Sequence, residues 1–192
     1  YLLPNMVKNH SFLQKAPLFV VNELLHLYQS GEYEETFLKA TSLIKQYPDT
    51  PTLHNLLGIV CSIKGQLERA VFHFKQMLKL EPLNTEAYNN LGAVLIDLKR
   101  YDEAKEILNK ALRIMPDFAQ AHTNLGNIMK EQEKYEKAKN YYEKAININD
   151  RHFEAYNNLG IVLHELKNYK DAQAAFERTI DLNPNLAEAY NN

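Results

Sequence analysis

Apolar residues recur along this chain at spacings of three, four and seven, and the whole pattern then returns every 34 residues. With Pro51 counted as position 1, large side chains stand at position 4 (His54, Tyr88, His122, Tyr156, Tyr190), position 7 (Leu57, Leu91, Leu125, Leu159) and position 24 (Phe74, Leu108, Tyr142, Phe176). Small residues answer them, with Gly58, Gly92, Gly126 and Gly160 at position 8 and Ala70, Ala104, Ala138 and Ala172 at position 20. Within each half of the unit these spacings keep the apolar residues on one stripe of a helix. The period therefore predicts two helices per unit, helix A over positions 1–14 and helix B over positions 18–31, each about 21 Å long at 1.5 Å per residue.

The helix breakers keep the same register. Gly31 and Gly65 fall at position 15, between the two helices, where Lys99, Glu133 and Lys167 stand in the other units. A turn that demands positive φ would cost those three residues on the order of 1 kcal/mol each. Tyr33, Tyr101, Tyr135 and Tyr169, two residues later, are expected to pack over it. Pro48, Pro82, Pro116 and Pro184 end helix B, since proline lacks a backbone donor and clashes with the preceding turn. Asp150 fills the gap in that series, so the third full unit is expected to carry a slightly longer helix B.

A 34-residue period with these marks resembles the tetratricopeptide repeat, and the resemblance runs over residues 17–192. It implies an all-α fold, a right-handed superhelical solenoid of antiparallel helix pairs, with an open concave face lined by the A helices. The expected divisions are an N-terminal segment at 1–16 that caps the first hairpin or, alternatively, lies in a groove, a degenerate repeat at 17–50, repeats at 51–84, 85–118, 119–152 and 153–186, and the start of a further repeat at 187–192. In the degenerate repeat Glu23-Leu24 replaces Leu-Gly and Thr36 replaces the small alanine, which predicts a looser hairpin. Ending in mid-helix at Tyr190-Asn191-Asn192, the chain is expected to belong to a longer protein and to self-associate through its uncapped C-terminal end.

Composition narrows the function. A net charge of −2, from 22 basic and 24 acidic residues, lacks the basic footprint of a nucleic-acid binder. No apolar run approaches membrane-spanning length. Cys61 is the single cysteine and falls at a packing position, so no intrachain disulfide or cysteine metal cluster can form. The seven histidines include no metal-binding pair at i, i+4; His54 and His122 occupy the aromatic packing slot, while His164 falls on the inner face of its helix. With every glycine assigned to a hairpin, no catalytic constellation, cofactor site or metal site is expected. The expected compartment is the cytoplasm, although a start at Tyr1 leaves room for an upstream targeting segment.

What remains is a set of asparagines. Positions 2, 5, 6, 9, 12 and 13 of helix A share the face opposite helix B. Asn55, Asn89, Asn157 and Asn191 lie at position 5, Asn90, Asn124, Asn158 and Asn192 at position 6, and Asn127 at position 9. A carboxamide offers a donor and an acceptor, the two functions of a peptide unit, so such a row matches an extended backbone whatever its side chains. The row resembles the asparagine ladder in the superhelical arm of the O-linked N-acetylglucosamine transferases. The carboxylate clamp of the chaperone-binding repeats is missing, because position 2 reads Thr52, Glu86, Gln120, Glu154 and Glu188 and brings no cation. The expected function is a scaffold or adaptor that binds an extended protein segment, neutral or basic rather than acidic. The alternative is the substrate-recognition arm of a larger glycosyl-, sulfo- or methyltransferase whose catalytic domain lies beyond residue 192.

Overall fold

The computed structural model describes residues 15–184, and among these the chain forms ten helices joined by short turns. In order they are α1 (Leu18–Gln29), α2 (Tyr33–Gln46), α3 (Pro51–Ile63), α4 (Leu67–Leu80), α5 (Thr85–Asp97), α6 (Tyr101–Ile114), α7 (Ala119–Glu131), α8 (Tyr135–Ile148), α9 (Phe153–Glu165) and α10 (Tyr169–Leu182). Consecutive pairs form helical hairpins. From α3 onward the A helices span positions 1–13 and the B helices 17–30, so helix A is one residue shorter, and helix B starts one residue sooner, than the period predicts.

The turn explains the offset. The amide of position 16 bonds back to the carbonyl of position 11, and the amide of position 15 to that of position 12, as in Arg100 to Leu95 and Lys99 to Ile96, both at 2.8 Å. This Schellman closure needs its second-last residue in the left-handed region. Lys99, Glu133 and Lys167 adopt it with φ of 58°, 57° and 61°, alongside Gly31 and Gly65. Over two of these turns a tyrosine does pack: Tyr33 lies 5.8 Å from Tyr28 and Tyr169 lies 5.3 Å from His164, ring centre to ring centre.

The longer helix expected at Asp150 is not there. Like α4, α6 and α10, α8 has 14 residues. Asn149 turns extended (φ −138°, ψ 100°), as Met115 does ahead of Pro116. A residue before proline is pushed into that region by the ring. At Asn149 the side chain does the same work, its Oδ1 accepting from the Arg151 amide at 3.1 Å.

Each full hairpin closes on the contact between positions 8 and 24. A Cβ placed on Gly126 would sit 2.5 Å from the Tyr142 ring, and one on Gly92 2.6 Å from Leu108, well inside any tolerated separation. The missing Cβ is thus room for the large partner side chain, while Ala70, Ala104, Ala138 and Ala172 at position 20 are wholly buried beside it.

The described residues fall into two units, one ending at Pro82 and one starting at Leu83. In the first, Leu24, Ala40, Leu53, Leu56 and Leu57 form a buried cluster. Here α1 and α2 approach each other less closely than α3 and α4 do, as the loss of the position-8 glycine predicts. Thr36, in the alanine slot, is fully buried and satisfied by donating to the Glu32 carbonyl at 2.8 Å. In the second unit the backbones of α5, α7 and α9 meet in an inner row, whereas among the described residues α6, α8 and α10 do not meet one another. The A helices therefore line the inner side of this unit. The capping role assigned to 1–16 and the uncapped end at 187–192 lie outside the described residues, except for Lys15 and Ala16; the Ala16 amide donates to Thr50 Oγ1 at 2.8 Å.

Cys61 is fully buried, and burial pushes its thiol up. His54 packs in the core, as its slot requires, and has a buried partner in His73. The two Nδ1 atoms are 3.2 Å apart, and His54 Nε2 lies 3.1 Å from the Pro48 carbonyl. His54 must donate to Pro48, so its Nδ1 is the acceptor and His73 Nδ1 the donor, and both rings are neutral. Burial lowers both, His73 to about 4, with the His54 ring and then Arg69 adding to the effect.

Two measurements check this account. Changing Lys99, Glu133 and Lys167 singly to glycine relieves left-handed strain and should raise unfolding free energy by about 0.5–1 kcal/mol each in urea titrations. Because His73 is held below its ordinary 6.5, the unfolded chain binds the proton more readily, and stability is lost as pH falls from about 6.5 toward 4, by at most about 3 kcal/mol. The double variant His54→Tyr/His73→Ile, which copies Tyr88 and Ile107 of the following repeat, should lose that part of the acid sensitivity.

Candidate functional site

The inner side of the second unit is polar because helix A must turn its apolar stripe toward helix B. That leaves positions 2, 5, 6 and 9 of α5, α7 and α9 facing outward from the hairpins. Between these helices lies an open hollow of about 280 Å³. Asn89, Asn124, Asn127 and Asn158 line it, together with Gln120, Thr123, His152 and Glu154.

The asparagines are bonded to one another from repeat to repeat. Asn124 Nδ2 donates to Asn89 Oδ1 at 2.9 Å, and Asn158 Nδ2 donates to Asn127 Oδ1 at 3.1 Å. Asn127 Oδ1 also accepts from the Tyr142 hydroxyl at 2.8 Å, and Lys130 Nζ makes a long 3.5 Å contact to Asn158 Oδ1. Much of the carboxamide capacity is thus spent in binding α5 to α7 and α7 to α9. Three groups have no protein partner among the described residues: the Nδ2 groups of Asn89 and Asn127 are donors, and Asn124 Oδ1 is an acceptor. These alternate in kind along the row.

A second network forms the floor. Thr123, where Asn55, Asn89, Asn157 and Asn191 stand in the sister repeats, is buried and donates to the Ala119 carbonyl at 3.1 Å. Its oxygen lies 3.0 Å from His152 Nε2, and His152 Nδ1 lies 2.9 Å from Glu154 Oε2. A carboxylate only accepts, so Nδ1 carries the proton of that bond, and the single Thr123 hydroxyl proton is shared between the Ala119 carbonyl and the Nε2 lone pair. His152 is itself buried, and as the residue before α9 it occupies the position of Asn84 and Phe118. The helical period does not reach it, because it belongs to the connecting turn; a histidine where a sister repeat has phenylalanine was the available signal.

The other inner-face residues lie apart from this hollow. Asn90 and Asn157 are half-buried on α5 and α9. Asn55 is half-buried on α3, in the first unit. His164 is exposed at the far end of α9, edge-on to Tyr169. Asn191 and Asn192 lie outside the described residues. Among the described residues no group of three histidine, cysteine, aspartate or glutamate side chains is placed to hold a metal, and no helix is long and apolar enough to cross a membrane.

Hairpins in 34-residue register, closed by glycine against a large residue and lined inside by polar A-helix positions, agree with a family model. The tetratricopeptide repeat model matches residues 84–151 and, overlapping them, 117–185, together just over half of the chain. The chain belongs to the tetratricopeptide repeat family. Solved structures share the fold. MamA from residue 41 onward, from Desulfovibrio magneticus RS-1, is 24% identical over 87% of this chain and 94% of its own, with a TM-score of 0.71. Pseudomonas aeruginosa pilF is 22% identical over 90% and 83%, with a TM-score of 0.72. YrrB, described as a tetratricopeptide protein with an unusual peptide-binding site, is 19% identical over 88% and 87%, with a TM-score of 0.63. No curated protein matches the sequence significantly. The fold is typically non-catalytic, and its proteins bind peptide or protein partners, which supports an interaction-scaffold role for this repeat array.

The floor network gives a direct check. Thr123→Val leaves His152 Nε2 without its buried partner and should cost about 1 kcal/mol in urea unfolding, whereas Thr123→Ser should cost much less.

Proposed function

We propose that the inner face of α5, α7 and α9 holds an extended polypeptide by its backbone, and that the chain acts as a non-catalytic scaffold or adaptor. The observation that carries this reading is the alternation of unspent donors and acceptors at Asn89, Asn124 and Asn127. An extended strand presents amide and carbonyl groups alternately, so it can pair with such a row largely independently of side-chain identity. The neighbour-to-neighbour bonds hold each carboxamide in place before a ligand arrives, which reduces the entropy lost on binding.

Charge sets the preference among ligands. Among the described residues that line the hollow, Glu154 is the one ionised side chain, and none is lysine or arginine. An acidic segment would meet the Glu154 carboxylate within the hollow, with the Lys130 cation set beside it against Asn158, whereas a neutral or basic segment would not be repelled.

Three blocked 12-residue peptides, alternating threonine with serine, with lysine or with glutamate, test the reading by calorimetry or fluorescence anisotropy. The serine and lysine peptides should bind at least about tenfold more tightly than the glutamate peptide, the size expected for one unfavourable charge contact in a partly desolvated site. Asn89→Ala and Asn124→Ala should each weaken the lysine peptide by about three- to tenfold, the worth of one hydrogen bond. Tightest binding of the acidic peptide, or no binding of any, would contradict the proposal.

A further inference from the structure

The repeat at 119–152 departs from its sisters at two positions at once. Position 9 is Ile59, Ala93 and Ile161 elsewhere and Asn127 here. Position 24 is Phe74, Leu108 and Phe176 elsewhere and Tyr142 here. The two polar replacements meet, the Tyr142 hydroxyl donating to Asn127 Oδ1 at 2.8 Å.

Packing alone does not call for this pair. Tyr142 is fully buried with its ring against Gly126, a place that phenylalanine fills in two sister repeats. A buried hydroxyl needs a partner, so the tyrosine adds a requirement that the phenylalanine lacks. Burial also pushes the Tyr142 phenol well above its ordinary range, which keeps its proton available for donation. On the other side Asn158 Nδ2 donates to the same Asn127 oxygen at 3.1 Å. With two donors on Oδ1, the carboxamide of Asn127 is held in one orientation. Asn127 lines the hollow, and no described residue accepts from its Nδ2.

We infer that Asn127 is a fixed hydrogen-bond donor to one carbonyl oxygen of the bound segment, and that Tyr142, behind it and out of reach of the ligand, is the positioning residue that fixes it. This rests on the peptide-binding reading of the inner face and adds to it a single anchoring point. At Asn89 and Asn124 one bond sets each carboxamide; at Asn127 two bonds do so, one of them from the rigid core. The anchor sets the register of the segment, because it donates to a carbonyl oxygen and cannot pair with an amide N–H.

The test measures affinity of the full chain for the alternating threonine–lysine peptide, beside the melting temperature. Tyr142→Phe keeps the ring and removes only the hydroxyl. It should weaken binding by about three- to tenfold, while the melting temperature moves by a few degrees at most. Asn127→Ile, the residue of two sister repeats, should weaken binding at least as much, and the double variant should bind no worse than Asn127→Ile alone. Unchanged affinity in Tyr142→Phe, or losses that multiply in the double variant, would overturn the role of Tyr142. Unchanged affinity in Asn127→Ile, with losses in Asn89→Ala and Asn124→Ala, would overturn the anchor and leave the peptide-binding reading standing. If the peptide does not bind, or none of the three asparagine variants alters its binding, that reading falls and takes the anchor with it.

Discussion

Where a Cβ of Gly126 would stand lies the ring of Tyr142, and Gly58, Gly92 and Gly160 face Phe74, Leu108 and Phe176 in the same way. This contact lets two helices close on each other while burying a large side chain worth roughly 1.5–3 kcal/mol of apolar transfer. With helix B committed to that contact, the rest of each hairpin is determined. Helix A turns its stripe at positions 4, 7 and 11 toward helix B and presents its polar face inward. The degenerate hairpin of α1 and α2 shows the converse, since Leu24 fills position 8 and the two helices stand farther apart.

The polar inner face is a consequence of that packing, and its chemistry is more than solvation. In the second unit the asparagines tie neighbouring A helices together and still leave donor and acceptor groups unspent. Part of the row therefore ties the repeats together, and the part left unspent is the surface we propose for recognition. Thr123, His152 and Glu154 continue the same economy of partners on the floor of the hollow. In the first unit, polarity goes inward instead: His54 and His73 satisfy each other in the core, and the arrangement holds only while both rings are neutral.

Much of the fold was legible because its marks are positional. The glycines, alanines and prolines keep a 34-residue register, and from that alone the hairpins, the buried Cys61 and the core role of His54 follow. The helix bounds were read one residue off because the Schellman turn depends on a left-handed residue that Lys99, Glu133 and Lys167 do not advertise. The longer α8 was expected from a missing proline, and Asn149 supplies the stop through its side chain. The candidate site was legible as a row of residue types and not as a network. Asn124 meets Asn89 and Asn158 meets Asn127 across 35 and 31 residues, through an angle between repeats that no single repeat encodes. His152 and His73 escaped notice for the same reason, each depending on a partner from another helix.

The central claim is that the inner face of α5, α7 and α9 engages the backbone of an extended segment. A crystal structure of the full chain with the alternating threonine–lysine peptide tests it most directly. The expected result is an extended peptide lying along the three A helices, its main-chain carbonyls and amides within hydrogen-bond distance of Asn89, Asn124 and Asn127. A peptide bound on the B-helix side, or held on the inner face by its side chains alone, would contradict it.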